Sequence, residues 1–266
     1  MLLPLPEDWG RALAIVAHPD DLEYCASSAV ARWTAHGKSV AYVIATRGEA
    51  GIDSMDPAEA GRVRTQEQIA SARAVGVELV EFLDHPDGEV EYGRKLRADL
   101  VHAIRRHRPE VLVSLNPHLN TAGGGPNMAD HRAVGTAVLD AARDAGNRWL
   151  FRRSSPDDLE PWDGVRMVCF AASPSPTHSL DVAEFVEAGI AALKAQHTYI
   201  AGLGEGSIPS TTCATRCRGR AAEQAYSWPS NSRCGPFRAA GHRWAGGRRW
   251  PGSLGQEVPH VLTQRR

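Results

Sequence analysis

The chain predicts an α/β fold: a Rossmann-like, mostly parallel sheet with helices on both faces, followed by a poorly structured C-terminal tail. Three observations predict it. Short apolar runs of strand length alternate with longer amphipathic segments through residues 1–206. Glycine or proline punctuates several of the joins. The chain is 42% hydrophobic and 23% charged over 266 residues, which excludes disorder of the whole chain.

The elements follow in order. Ala12–Ala17 (ALAIVA) is too short for a helix and suits a buried strand. Residues 22–36 carry Ala26, Ala29, Val30 and Trp33 at helical spacing, and Gly37 follows where a helix C-cap belongs. Ser39–Thr46 (SVAYVIAT) repeats the strand pattern. Pro57 suits a first helical turn and opens a helix to about Val75, closed by Gly76. Val77–Leu83, Val111–Leu115 and Val165–Ala172 are further strands. Lys95–His107, Asp130–Ala145 and Val182–Ile200 are further helices. Such alternation predicts a ligand at the carboxyl ends of the strands, hence in the loops after Ala17, Thr46, Leu83 and Leu115. No G-x-G-x-x-G follows the first strand and there is no P-loop, so a nucleotide site has little support.

Those loops hold the chemistry. His18-Pro19-Asp20-Asp21 leaves the first strand directly. Pro19 stiffens it, and imidazole plus carboxylate suits Zn²⁺ or a similar divalent ion. Adjacent aspartates do not readily share one metal face, which suggests that one binds metal and the other moves a proton. Helix N-capping is the plain alternative for both. The loop after Leu115 runs from Asn116 through Gly123-Gly124-Gly125 to Asp130-His131. His131 would supply a third ligand from a distant stretch, leaving a fourth position open for water. Asp130 would either hold an imidazole from behind or cap the helix.

Ala17-His18-Pro19-Asp20-Asp21 with a distant Asp130-His131 resembles the LmbE/PIG-L de-N-acetylase family. Thr46-Arg47-Gly48-Glu49-Ala50-Gly51, Arg64-x2-Glu67, Pro86-Asp87-Gly88, and Lys194 with His197 follow in family order. The resemblance implies a zinc-dependent amidohydrolase, with Fe²⁺, Mn²⁺ or Co²⁺ as other divalent candidates. It implies metal ligands at His18, Asp21 and His131 and a general base at Asp20. A water acidified by zinc would attack an acetamide carbonyl as Asp20 takes its proton. The implied substrate is an N-acetylated amino sugar or sugar conjugate. Arg64 would face that substrate, and Asp87 would lie near its rim. Arg64 and Glu67 read equally well as an i, i+3 surface ion pair.

One position departs from the family. Met128 stands where relatives often carry a histidine that helps polarise the carbonyl, and a thioether cannot donate a proton. Arg47, His118 and His178 are the candidates to compensate. A catalytically degenerate, metal- or ligand-binding protein of the same fold is the rival reading.

The near-neutral net charge of −1 is a cancellation. Residues 207–266 hold 10 Arg, no Lys and two acids, a balance of +8; the first 206 residues therefore carry −9. Only six Ile, Leu, Val, Met or Phe occur in those last 60 residues, too few to close a core, so this basic tail is expected to be disordered or an out-of-frame product. Cys213, Cys217, Cys234 and His242 fit no closed zinc pattern. No apolar run approaches the roughly 20 residues that span a bilayer, and no signal peptide is evident. The expectation is a cytoplasmic enzyme of a small molecule, without nucleic acid and compatible with a homo-oligomer.

Overall fold

Eight strands form one sheet in the order β1-β7-β8-β6-β5-β2-β3-β4. The computed structural model describes residues 2–151, 159–203 and 221–227, the last of these by backbone alone. In chain order the strands are β1 (Leu3–Pro4), β2 (Arg11–Val16), β3 (Ser39–Ile44), β4 (Val80–Phe82), β5 (Val111–Leu115), β6 (Met167–Ala171), β7 (His178–Leu180) and β8 (Ala221–Ser227). The helices are α1 (Asp21–Cys25), α2 (Ser27–Ala35), α3 (Pro57–Ala74), α4 (Arg94–His107), α5 (Ala129–Asp144), α6 (Val186–Lys194) and α7 (His197–Gly202). No helix among the described residues is long and apolar enough to cross a membrane.

All pairings are parallel except those of β8, which runs antiparallel to both β6 and β7. Alternation along β2 sends Ala12, Ala14 and Val16 to one face and Leu13, Ile15 and Ala17 to the other. The first face packs against α1, α2, α3 and α6, and the second against α4 and α5. Both faces of the central strands are therefore dry. That is why their sequences read as unbroken apolar runs.

The chain runs outward from β2 through β3 to β4, then returns to β5 on the other side and continues to β6. The direction reverses between β2 and β5, and such a switch point opens a crevice at the strands' carboxyl ends. The loop carrying His18 leaves β2 there, and the loop leading to His131 leaves β5. Gly135 lets α5 approach closely, because a Cβ would sit 2.6 Å from the Leu115 carbonyl oxygen.

The five expected strands are present: β5 has the expected bounds, β2 begins and ends one residue earlier, and β3, β4 and β6 are shorter than expected. Three differences have physical causes. The helix expected over 22–36 breaks at Ala26 (φ −135°), where Ser27 Oγ donates to the Glu23 carbonyl (3.3 Å) and to that of Gly189 on α6 (3.5 Å). The helix expected over 182–200 divides into a 3₁₀ turn, α6 and α7, because buried Gln196 leaves the helical path to bond Gln68 on α3 (2.9 Å). β1 and β7 are two and three residues long, too short to show a period; Pro4 is tolerated because β1 is an edge strand. β8 falls inside the basic stretch after residue 206, where no strand was expected, and is held by backbone pairing. The cysteines, tryptophans and His242 of that stretch lie outside the described residues.

Candidate active site

Two imidazoles and a carboxylate meet at the β2/β5 crevice. His18 Nδ1 lies 3.2 Å from His131 Nε2, and Asp21 Oδ1 lies 3.0 Å from the same His131 nitrogen. These three side chains could hold a metal ion with one ligand atom each. Asp21 is oriented by its own loop, since its Oδ2 accepts the backbone N–H groups of Ala17 (3.0 Å) and His18 (2.8 Å). His18 and His131 hold its carboxyl well below the usual carboxylate range, against the opposing effect of burial.

The neighbours fix both imidazole tautomers. His18 Nε2 faces Asp130 Oδ2 and Asp87 Oδ1, each at 3.1 Å. Their pKa values are lowered, so these carboxylates only accept, and Nε2 must carry the hydrogen. Asn127 Nδ2 donates to the carbonyls of Asn116 (2.8 Å) and His118 (3.0 Å), which fixes the orientation of its amide. Asn127 Oδ1 therefore accepts from His131 Nδ1 (3.1 Å). In the neutral rings, His18 Nδ1 and His131 Nε2 are then both bare lone pairs, aimed at the same space beside Asp21. Two bare nitrogens 3.2 Å apart repel unless a cation lies between them or one takes a proton. Burial alone would lower the His18 pKa, but Asp21, Asp130 and Asp87 outweigh it and push it up to about 12. The donor set fits a divalent ion of the zinc type.

Asp130 thus supports His18, a candidate ligand from the opposite loop, and ties the two loops together. Its oxygens also accept the Gly88 (2.8 Å) and Val90 (3.1 Å) N–H groups. Sequence reasoning missed Asn127, whose spacing of four residues before His131 in a helix-entry loop was a usable signal.

Asp20 sits beside this cluster in a left-handed conformation (φ 96°) unusual for a residue with a side chain. Its N–H donates to Gln68 Oε1 (2.9 Å). Its Oδ1 accepts from the Arg64 guanidinium (3.2 Å), which also donates to the carbonyls of Pro19 (2.5 Å) and Gly48 (2.9 Å). Burial pushes the Asp20 carboxyl up to about 7, although Arg64 pulls it down. A base at that value is matched to neutral pH. Gly48 and Gly51 make room for Arg64: a Cβ on either would lie 2.3 Å from its Nη1.

A cavity of about 460 Å³ opens over these groups. Among the residues that line it are His18, Asp20, Asp21, Arg64, Asp87 and His131. Asp87 reaches past the rim to His18, and its other oxygen accepts the Ala50 N–H (2.8 Å). Met128 also lines the cavity and is 55% exposed, so its apolar side chain faces the opening. Of the three candidates to compensate for it, none lines the cavity. Arg47 pairs with Asp84 (3.4 Å) and lies over the Phe82 ring; His118 lies in the loop after β5; His178 is on β7 beside Thr177. Arg64 and Glu67 are both buried and do not form the surface pair considered for them. Glu67 instead accepts from Thr198 N (2.6 Å) and lies 2.9 Å from His197 Nδ1. Tyr199, absent from the sequence reading, reaches the cavity from α7, and the Arg64 guanidinium lies over its ring (4.0 Å).

The Asn127 amide gives a direct test of the tautomer argument. Asn127→Ala should weaken divalent-metal binding by about 10- to 100-fold while leaving the ligands in place. Titration with a competing chelator reads this; unchanged affinity would show that Asn127 does not orient His131.

Residues 13–142 match the family described as PIG-L: GlcNAc-PI de-N-acetylase. The chain is 28% identical over 189 residues to the diacetylchitobiose deacetylase of Thermococcus kodakarensis, spanning 70% of this chain and 69% of that one. It is 29% identical to the 1D-myo-inositol 2-acetamido-2-deoxy-alpha-D-glucopyranoside deacetylase of Kineococcus radiotolerans, over 51% of this chain and 48% of that one. The chain therefore spans about half the length of that second relative. Among solved structures, N,N'-diacetylchitobiose deacetylase from Pyrococcus horikoshii superposes with a TM-score of 0.71 at 20% identity, covering 84% of this chain and 85% of that one. A 4-carboxy-2-hydroxymuconate hydratase from Pseudomonas putida superposes at 0.62 and 21% identity, covering 85% of this chain and all of the other. At these identities the likeness is one of fold, and the fold hosts more than one reaction.

Proposed function

We propose that the protein, whose residues 13–142 match the family described as PIG-L: GlcNAc-PI de-N-acetylase, is a metal-dependent hydrolase removing the acetyl group from an N-acetylated amino sugar or sugar conjugate. The observation that carries this reading is the convergence of His18 Nδ1, Asp21 and His131 Nε2 on one point, with the Asp20 carboxyl beside them in a cavity. The two sequence relatives reported above supply the substrate class, since one is named a deacetylase of diacetylchitobiose and the other a deacetylase of a 1D-myo-inositol 2-acetamido-2-deoxy-alpha-D-glucopyranoside.

His18, Asp21 and His131 would hold the ion, zinc being the best match to two imidazoles and one carboxylate. Such an ion supplies an acidified water and polarises the amide carbonyl. The protein's own residues do the rest. Asp20 accepts the proton of the attacking water and returns it to the departing amine nitrogen, so that one carboxyl serves as base and then as acid. Arg64 keeps enough of Asp20 ionised for the first of these steps. Asp130 and Asp87 anchor His18 Nε2–H, and Asn127 anchors His131 Nδ1–H, so neither ring turns away. The cavity of about 460 Å³ is large enough for a sugar residue and its acetamido group.

Incubation with N-acetylglucosamine conjugates, including chitobiose-type and inositol-linked ones, should release acetate and a free amine. Dialysis against a chelator should remove that activity, and restoring a divalent ion should return it. Metal bound at the three ligands without acetate release across such a panel would overturn the enzyme reading. It would favour the catalytically degenerate, ligand-binding alternative that Met128 motivates.

A further inference from the structure

We propose that Glu49 is a positioning residue for the candidate metal site: it fixes Asp87, and Asp87 in turn fixes the His18 imidazole. The inference rests on the reading of His18 as a metal ligand. It starts from the turn after β4, which presents the Asp87 side chain to the loop that leaves β2. The N–H groups of this turn end on carboxylates. Glu49 Oε1 accepts that of Asp87 (3.0 Å), and Asp130 accepts those of Gly88 (2.8 Å) and Val90 (3.1 Å). The turn is therefore held from two sides, by the loop after β3 and by the first turn of α5. The Asp87 side chain projects from it, with Oδ1 3.1 Å from His18 Nε2.

Glu49 makes the tie mutual. Its second oxygen, Oε2, accepts the Arg47 N–H of its own loop (3.1 Å), which sets the side chain. Asp87 Oδ2 accepts the N–H of Ala50, the residue after Glu49 (2.8 Å). The Glu49 carboxylate thus grips the backbone of Asp87 while the Asp87 carboxylate grips the backbone beside Glu49. A capping box closes a helix start by the same exchange; here it joins two loops. With Oδ2 held by Ala50, the Asp87 carboxylate cannot rotate, and Oδ1 stays turned to His18. Two N–H donors converge on Glu49, and only a group that accepts at both oxygens satisfies them. A glutamine would set an NH₂ group against one of the two. Glu49 is not among the residues that line the cavity, so its influence on the site passes through its neighbours.

The test reads zinc affinity by chelator competition in Glu49→Gln, Asp87→Ala and their double variant, with Tm measured for each and His18→Ala as reference. Asp87→Ala should weaken zinc binding about ten-fold, the low end for a group behind a ligand, because Asp130 still holds His18. Glu49→Gln should weaken it about five-fold and lower Tm by no more than about 4 °C, since one partly exposed hydrogen bond is lost. In the Asp87→Ala background, Glu49→Gln should cost nothing further, because the carboxylate it positions is gone. If Asp87→Ala does not fold, Asp87→Asn takes its place: its amide can accept from Ala50 or from His18, but not from both. Parent affinity in Glu49→Gln, beside a weakened Asp87 variant, overturns the positioning role and leaves the metal site standing. A further loss of affinity in the double variant overturns it too, since Glu49 would then act by another route. Parent affinity in the Asp87 variant breaks the second link and overturns the inference. Parent affinity in His18→Ala removes the metal-site reading and this inference with it.

Discussion

Asp20→Asn should lower kcat about a thousand-fold while the protein binds its metal normally and melts no lower than the parent. The size follows from losing the proposed base, whose carboxyl lines the cavity beside the His18, Asp21 and His131 cluster. The stability expectation follows from the sign of the pKa shift. Burial raises Asp20 from 3.8 to about 7 in the folded chain. The folded state therefore holds a proton that the unfolded state has released between those values. Stability from this group falls as pH rises through that window, and the substitution removes the slope. An amide can still accept from Arg64. Activity, metal content and melting temperature at pH 7 and above test the set together. A variant that loses metal or melts much lower would show that Asp20 has a structural role in its place.

Arg64→Met should be costly in two separable ways. It leaves the Asp20 carboxyl buried without its cation and frees the carbonyls of Pro19 and Gly48. Breaking a buried pair by removing one partner costs about 3–5 kcal/mol, or about 10 °C in melting temperature for a chain of this size. Arg64 also pulls the Asp20 pKa down, so its removal raises that pKa further. Because a base works only when deprotonated, activity at pH 7 should fall. The acidic limb of the pH–rate profile should move to higher pH, with partial recovery in alkali. Measuring kcat/KM across pH on the folded fraction separates the two effects. An unmoved acidic limb would mean that Arg64 does not tune the base.

Much of this architecture was legible from residues alone, for a reason visible in β2. A central parallel strand is dry on both faces, so ALAIV must be continuously apolar. Residues of the loops after β2 and β5 also stand out, because a histidine beside two acids is rare next to such a run. The supports were harder to read. Gln68, Gln196 and Asn127 are neutral side chains in segments that look like ordinary helix or loop. Their significance lies in contacts spanning as many as 128 residues, such as that between Gln196 and Gln68. Arg64 read equally well as a substrate-facing residue and as half of a helix-surface pair, and its burial excludes the second. β1 and β7 carry too few residues for any period to emerge, and β8 owes its place to neighbours rather than to its own pattern.

The left-handed backbone at Asp20 bears on the order in which the molecule assembles. A conformation of that kind costs about 1–3 kcal/mol unless its surroundings impose it. Left to itself, the HPDD turn relaxes to an ordinary geometry. The restraints that impose φ 96° come from Gln68 and Arg64, more than forty residues downstream on α3. Those contacts exist only after α3 has docked against the sheet. The shape of this turn is therefore coupled to the docking of α3. A half-folded chain carries the same four residues but not their working shape, so the reactive geometry belongs to the finished molecule.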